Sequence, residues 1–129
     1  MLTLISMTVS MPSHLWAQQT TGFKVLNDYK IPSLGGWDYI TVDGANKRVY
    51  VSHGSQVNVI STTGDSIGYI PKTTGVHGIA LVHALGKGYI SNGTLNKVLV
   101  FDLKANKVLG YVPTGKFADA FFMTISQKR

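Results

Sequence analysis

The sequence predicts an all-β chain built from a four-stranded antiparallel unit that repeats about every 40 residues. Three observations predict it. First, a line of Ile or Val, Pro and Gly comes round three times. It reads Ile31-Pro32-Ser33-Leu34-Gly35, Ile70-Pro71-Lys72-Thr73-Thr74-Gly75 and Val112-Pro113-Thr114-Gly115, with prolines 39 and then 42 residues apart. Second, short segments rich in Val, Ile, Thr and Tyr lie between these lines, punctuated by Gly, Asn and Asp. Third, no segment of helical length holds a 3.6-residue apolar period, and none of the acidic residues is glutamate, a good helix former. A self-similar period of this length, made of short strands, is the signature of β-propeller blades.

Each element follows from its residues. Residues 1–17 are apolar, contain Pro12 and end Leu15-Trp16-Ala17, a small-residue cleavage site before Gln18. They read as a secretory signal peptide, because a membrane span needs about 20 apolar residues. Residues 18–129 then form a partial propeller. Residues 23–31 match the last strand of a blade with no first three strands before them, and read as a latch strand. The first blade covers 37–71, with strands at 37–42, 50–53, 57–60 and 66–70. The second covers 77–113, with strands at 77–82, 89–92, 98–101 and 107–112. A third blade opens at 117–122. Between strands stand Asp43-Gly44-Ala45-Asn46, His53-Gly54-Ser55, Thr63-Gly64-Asp65, Leu85-Gly86-Lys87-Gly88, Asn92-Gly93-Thr94 and Lys104-Ala105-Asn106. Gly, Asn and Asp tolerate the positive φ of tight hairpins, so these turns join antiparallel strands.

The blocks Arg48-Val49-Tyr50-Val51-Ser52, Val57-Asn58-Val59-Ile60 and Tyr111-Val112-Pro113-Thr114-Gly115 resemble the YVTN β-propeller repeat. Among members of that family the chain is most similar to the YncE-like periplasmic proteins. The resemblance runs from about Phe23 to Phe121. It implies a ring of about seven blades, of which this chain carries two plus a latch strand, so a fragment is expected. Residues 122–129 fit the repeat poorly, and a frameshift near position 122 would account for both the tail and the missing blades. The missing blades, or self-association, would be needed to complete the ring.

Composition narrows the function classes. The formal net charge is +6 and the basic residues are scattered through turns, at Lys47, Arg48, Lys72, Lys87, Lys97, Lys104, Lys107 and Lys116. A basic excess can attract phosphate backbones, so nucleic acid is a conceivable partner. The favoured alternative is that turn lysines keep sheet edges solvated and unpaired. There is no cysteine, which excludes disulfides and thiolate metal sites and leaves no lipoprotein anchor after the apolar leader. No phosphate-loop spacing, nucleophile elbow or His-Glu motif occurs, and no cofactor is implied. Secretion or a periplasmic location follows from the leader and from the resemblance.

Repeat geometry selects the candidate site. In a propeller, the loops leading from a fourth to a first strand and the second-to-third hairpins emerge on one face around the central channel. On that face the sequence places Asp38, His77 and Asp119 at equivalent positions of successive repeats, with Trp37 beside Asp38. The hairpins add His53 and Asn92. Imidazole and carboxylate groups at a channel mouth can bind a metal or polar ligand, or act as acid and base. The plainer alternative is that such side chains hydrogen-bond the backbone of a neighbouring blade. His83 falls on the opposite face and reads as a solvated turn histidine. Tyr50, Tyr69, Tyr89 and Tyr111 recur at repeat spacing and read as packing between blades. The expectation is a binding or scaffold module acting through its channel face on an unidentified protein or small molecule. The alternative is a propeller domain of an oxidoreductase or hydrolase holding a metal or cofactor there.

Overall fold

The computed structural model describes residues 22–120. Both the leader and residues 121–129 therefore lie outside the described residues, as does the end of the expected third-blade opening. The regular structure of the described residues is nearly all strand. A first sheet holds β1 (Trp37–Asp43), β2 (Arg48–His53), β3 (Gln56–Ser61) and β4 (Ser66–Ile70). A second holds β5 (Val76–Val82), β6 (Lys87–Asn92), β7 (Lys97–Asp102) and β8 (Lys107–Pro113). In each sheet the strands pair antiparallel in chain order, as in a propeller blade. The predicted all-β class and four-strand unit are present, with the boundaries moved by one or two residues.

The alternation of each strand decides which face packs. Register places Thr41, Tyr50, Val59 and Gly68 side by side across the first sheet, and Ser52, Val57 and Ile70 follow in the next rows. This face meets Ile79, Leu81, Ile90, Leu99, Phe101 and Val108 of the second sheet, so the core sits between the two sheets. Tyr50 and Phe101 are both fully buried, their ring centroids 5.7 Å apart and their planes tilted by 50°. Gly88, on β6, leaves the space that the Phe101 ring fills. The opposite face of the first sheet shows Ile40 and Val42 to solvent, although their repeat-equivalents Ile79 and Leu81 pack in the core. A blade must cover both faces with neighbours, and each sheet here covers one.

Polar ties reinforce the inter-sheet contact. Thr41 Oγ1 donates to the Ile79 carbonyl at 3.0 Å, and the Arg48 guanidinium reaches the Leu103 carbonyl at 2.7 Å. Asp43 is buried and accepts from the Asn46 backbone at 3.1 Å and the Asn46 amide at 2.7 Å. Its Oδ1 also lies 3.1 Å from His83 Nε2. His83 is therefore half-exposed but tied to the other sheet, rather than a free turn histidine.

Several expectations need correction. Residues 23–31 form no strand. A latch strand pairs with the last blade of the ring, which is not among the described residues, and an unpaired segment gains no ladder hydrogen bonds. Positive φ in the β1–β2 turn falls on Lys47 rather than on Gly44 or Asn46, because the Asp43 carboxylate closes the preceding turn. The expected turn at 85–88 is instead a short 3-10 turn (His83–Leu85) that ends on Gly86 in the left-handed region, while Gly88 belongs to β6. Of the four repeating tyrosines only Tyr50 is a core residue. Tyr69 and Tyr111 are exposed on the fourth strands, where Lys97 Nζ stands 3.9 Å over the Tyr111 ring.

Candidate functional site

The strand ends that carry Trp37, His53, Val76 and Asn92 lie at one end of the two sheets, because β1 pairs Trp37 with His53 and β5 pairs Val76 with Asn92. Both pairings are followed by a bulge, between Trp37 and Ile40 and between Val76 and Ile79. Bulges turn side chains away from regular alternation and occur next to sites. Asp38 and His77 sit within these bulges at equivalent positions.

One hydroxyl per blade holds each bulge. Ser52 Oγ accepts from the Tyr39 amide at 2.9 Å and lies 3.1 Å from the Tyr39 carbonyl and 2.9 Å from the His77 carbonyl. Its repeat-equivalent Ser91 bonds the Gly78 carbonyl at 3.4 Å and the Asp119 carbonyl. The Gly78 amide also donates to the Asp119 carbonyl at 3.1 Å. Thus the chain around Asp119 docks on the second blade as the chain around His77 docks on the first. These two serines were not singled out from the sequence. The available signal was their recurrence 39 residues apart in Tyr-Val-Ser-His and Tyr-Ile-Ser-Asn.

The docking brings three predicted site residues together. His77 Nδ1 lies 2.5 Å from Asp38 Oδ2 and 3.4 Å from Asp119 Oδ1. One donor atom from each of the three falls within 4.8 Å of the others. The side chains remain open, at 39% exposure for Asp38, 36% for His77 and 66% for Asp119. Gly93 lies under His77: a methyl group there would stand 3.1 Å from Nε2.

The structure does not bring His53, Asn92 or Trp37 into this cluster as open ligands. His53 is buried, with Nε2 on the Gly35 carbonyl at 2.6 Å and Nδ1 on the Ser33 hydroxyl. The same hydroxyl accepts from Asn58 Nδ2 at 2.9 Å, so a chain of hydrogen bonds fixes the ring. Trp37 stacks flat on it, with centroids 3.6 Å apart and planes 2° from parallel. The cause is the close passage of the Ile-Pro-Gly line over the β2–β3 turn. A Cβ on Gly35, at φ +123°, would come 2.9 Å from Gly54 Cα, so only glycine allows it. Asn92 is also fully buried; its Nδ2 donates to the Ile90 carbonyl at 3.2 Å, while Oδ1 has no partner among the described residues. These two hairpin residues are therefore internal props of the candidate face rather than its contact surface.

Strand order, meander connectivity and the face-to-face sheets define the class: the chain forms two β-propeller blades. No family model matches the chain, and no curated protein does. Among solved structures it is similar to Kuenenia stuttgartiensis hydrazine synthase, with a TM-score of 0.62 and 17% sequence identity. The match covers 77% of this chain and 29% of that one, and it shows the fold. No helix among the described residues is long and apolar enough to cross a membrane.

Proposed function

We propose that the chain belongs to a secreted or periplasmic propeller of the YVTN type, similar to the YncE-like proteins, that acts as a binding or scaffold module through its channel face. The observation that carries this reading is the convergence of Asp38, His77 and Asp119 on one open patch, one side chain from each of three successive repeat positions. Nothing in the core requires them there, since Ser52 and Ser91 already make the backbone ties between blades. The YVTN reading is supported by Tyr50 and Tyr89, and by Ile70-Pro71 and Val112-Pro113, which occupy matching places in successive sheets. Exposed Ile40 and Val42 support further blades beyond these two.

The test is a titration of the full chain with a defined panel of polyamines, amino sugars, nucleotides and divalent cations. The His77 imidazole and Trp37 indole resonances report binding. At least one ligand should move His77 saturably, and Asp38→Asn should abolish the shift. If none of the panel moves it, the channel-face reading fails. Export is checked separately, by finding a processed chain that begins at Gln18.

A second reading is a propeller domain of an oxidoreductase or hydrolase with a metal or cofactor on the same face. It is favoured by the donor set, in which imidazole and two carboxylates suit a first-row cation. Metal-dependent turnover lost in His77→Gln would support it over the binding module.

A further inference from the structure

We infer that Asp38, His77 and Asp119 form a binding site for a single divalent transition cation of the zinc or manganese kind, held through Asp38 Oδ2, His77 Nδ1 and Asp119 Oδ1. This rests on the channel-face reading and narrows it to one ligand class.

Geometry is the first argument. Three ligands on one side of an ion at about 2.1 Å stand about 3.0–3.4 Å apart, depending on whether the arrangement is octahedral or tetrahedral. The two spacings to His77 Nδ1 are 2.5 Å and 3.4 Å, and all three atoms lie within 4.8 Å. A cation fits once the His77–Asp38 contact opens by about half an ångström and the two open carboxylates turn toward each other to the same span. Both carboxylates converge on the same imidazole nitrogen. A single Nδ1–H can be donated well to one of them, and the 2.5 Å contact takes it. Asp119 is left with no close donor to its carboxylate among the described residues. An ion replacing that proton would satisfy all three groups at once.

Charge is the second argument. The chain has 12 basic and 6 acidic residues. Yet two of those six carboxylates meet here, and among the described residues no Lys or Arg lies within ion-pair distance of either. A bound cation would neutralise the pair. A dication against two carboxylates and a neutral imidazole is balanced.

Support and openness are the third. The backbones of His77 and Asp119 are pinned by Ser52 and Ser91, while the three side chains face solvent. A three-ligand site held by fixed backbone, with positions left for water or another ligand, is the arrangement of sites that keep an open coordination position. The oxygen-rich set excludes the soft, thiolate-type ions.

The experiment is equilibrium dialysis of the full chain against ZnCl2 and MnCl2, with bound metal read by atomic emission, and the same for Asp119→Asn and His77→Gln. Asp119 is the most exposed of the three, and Asp119→Asn should keep the wild-type far-ultraviolet spectrum. The expected result is one equivalent of metal on the wild type, with affinity reduced at least tenfold in each variant, since even outer-shell changes cost about 10–100-fold. Equal uptake by wild type and both variants, or no stoichiometric uptake, overturns the inference. If metal fails while another ligand of the panel still moves the His77 resonance, the cation site falls and the channel-face reading stands. If neither moves it, both fall.

Discussion

Replacing Ser52 by alanine tests the link between the repeat and the site. Ser52 is fully buried, and its hydroxyl serves the Tyr39 amide at 2.9 Å and the His77 carbonyl at 2.9 Å. The alanine side chain fits the space, so packing changes little. What is lost is the acceptor for one amide and the donor for one carbonyl. A buried polar group left unsatisfied costs about 1–3 kcal/mol. Tyr39 N is the more constrained of the two, because it sits in the bulge and no ladder partner faces it. A loss of about 2 kcal/mol is therefore expected from the unpaired amide and the weakened carbonyl together. For a chain of this size each kcal/mol lowers the melting temperature by about 4–8 °C, so the shift should be about 8–16 °C.

The assay is urea unfolding followed by far-ultraviolet circular dichroism, with the His77 imidazole resonance recorded in parallel. Two outcomes must coincide. Stability should fall by the amount above, and the His77 resonance should move, because His77 is the residue whose carbonyl Ser52 holds. Ser91→Ala should destabilise similarly and disturb Asp119 instead. A Ser52→Ala chain less than about 0.5 kcal/mol weaker than the wild type, the range of an ordinary surface change, would refute the reasoning.

Three further outcomes are expected. Phe101→Ala should cost about 3–5 kcal/mol, and Gly88→Ala about 1–3 kcal/mol by overpacking against the same ring; the double variant should fall short of the sum by at least about 1 kcal/mol in the unfolding assay. Burial raises the Tyr50 hydroxyl above its ordinary value of 10.0, with Arg48 opposing the rise and Asp43 adding a little to it. An acid group with a raised folded value keeps its proton longer in the native state. Stability should therefore be level below the unfolded value near 10.0 and fall as pH rises through and above it, a fall that Tyr50→Phe flattens when unfolding is followed against pH. Asp43→Ala should cost about 1–3 kcal/mol in the same assay, since it strips the Asn46 amide of a buried acceptor.

The sequence displayed the blades more fully than the site. Strand identity was legible because each strand carries its own alternation. The period was legible because the prolines mark it. Register also followed in outline, for hairpin turns fix it. Burial did not follow. His53 and Asn92 stand on second-to-third hairpins, which a repeat diagram places at the channel mouth. Yet Gly35 lets the connecting segment fold down over His53, an approach of backbone to backbone that residue types alone do not reveal. The latch strand turns on a different condition. Residues 23–31 have a strand's composition, but strand formation depends on a partner edge, and sequence composition says nothing of one. Tyr69 and Tyr111 show the same limit: spacing identified the repeat position, but Tyr69 stands on the face of the first sheet away from Tyr50, and Tyr111, though in register with buried Leu99, stands on the outermost strand of the second.

The Asp38, His77 and Asp119 cluster was visible in advance because it is a property of the period itself. Inner strands of successive blades lie next to one another, as β1 does to β5. Residues at equivalent places on those strands are brought within a few ångströms although 39 or 42 residues separate them in sequence. A propeller thus converts one position of a linear repeat into a ring of neighbouring side chains. At that position a blade whose only task was packing would do best with a small or apolar residue, since a pair of carboxylates around one imidazole repel each other. Ser52 and Ser91 show how the fold handles the structural task, with the same residue type in both blades. Asp, His and Asp at the neighbouring position differ from one repeat to the next while each offers a donor atom that a metal could use. That contrast between a uniform structural position and a varied, chemically capable one is why the channel face, and not either outer sheet surface, is where the function of this chain should be sought.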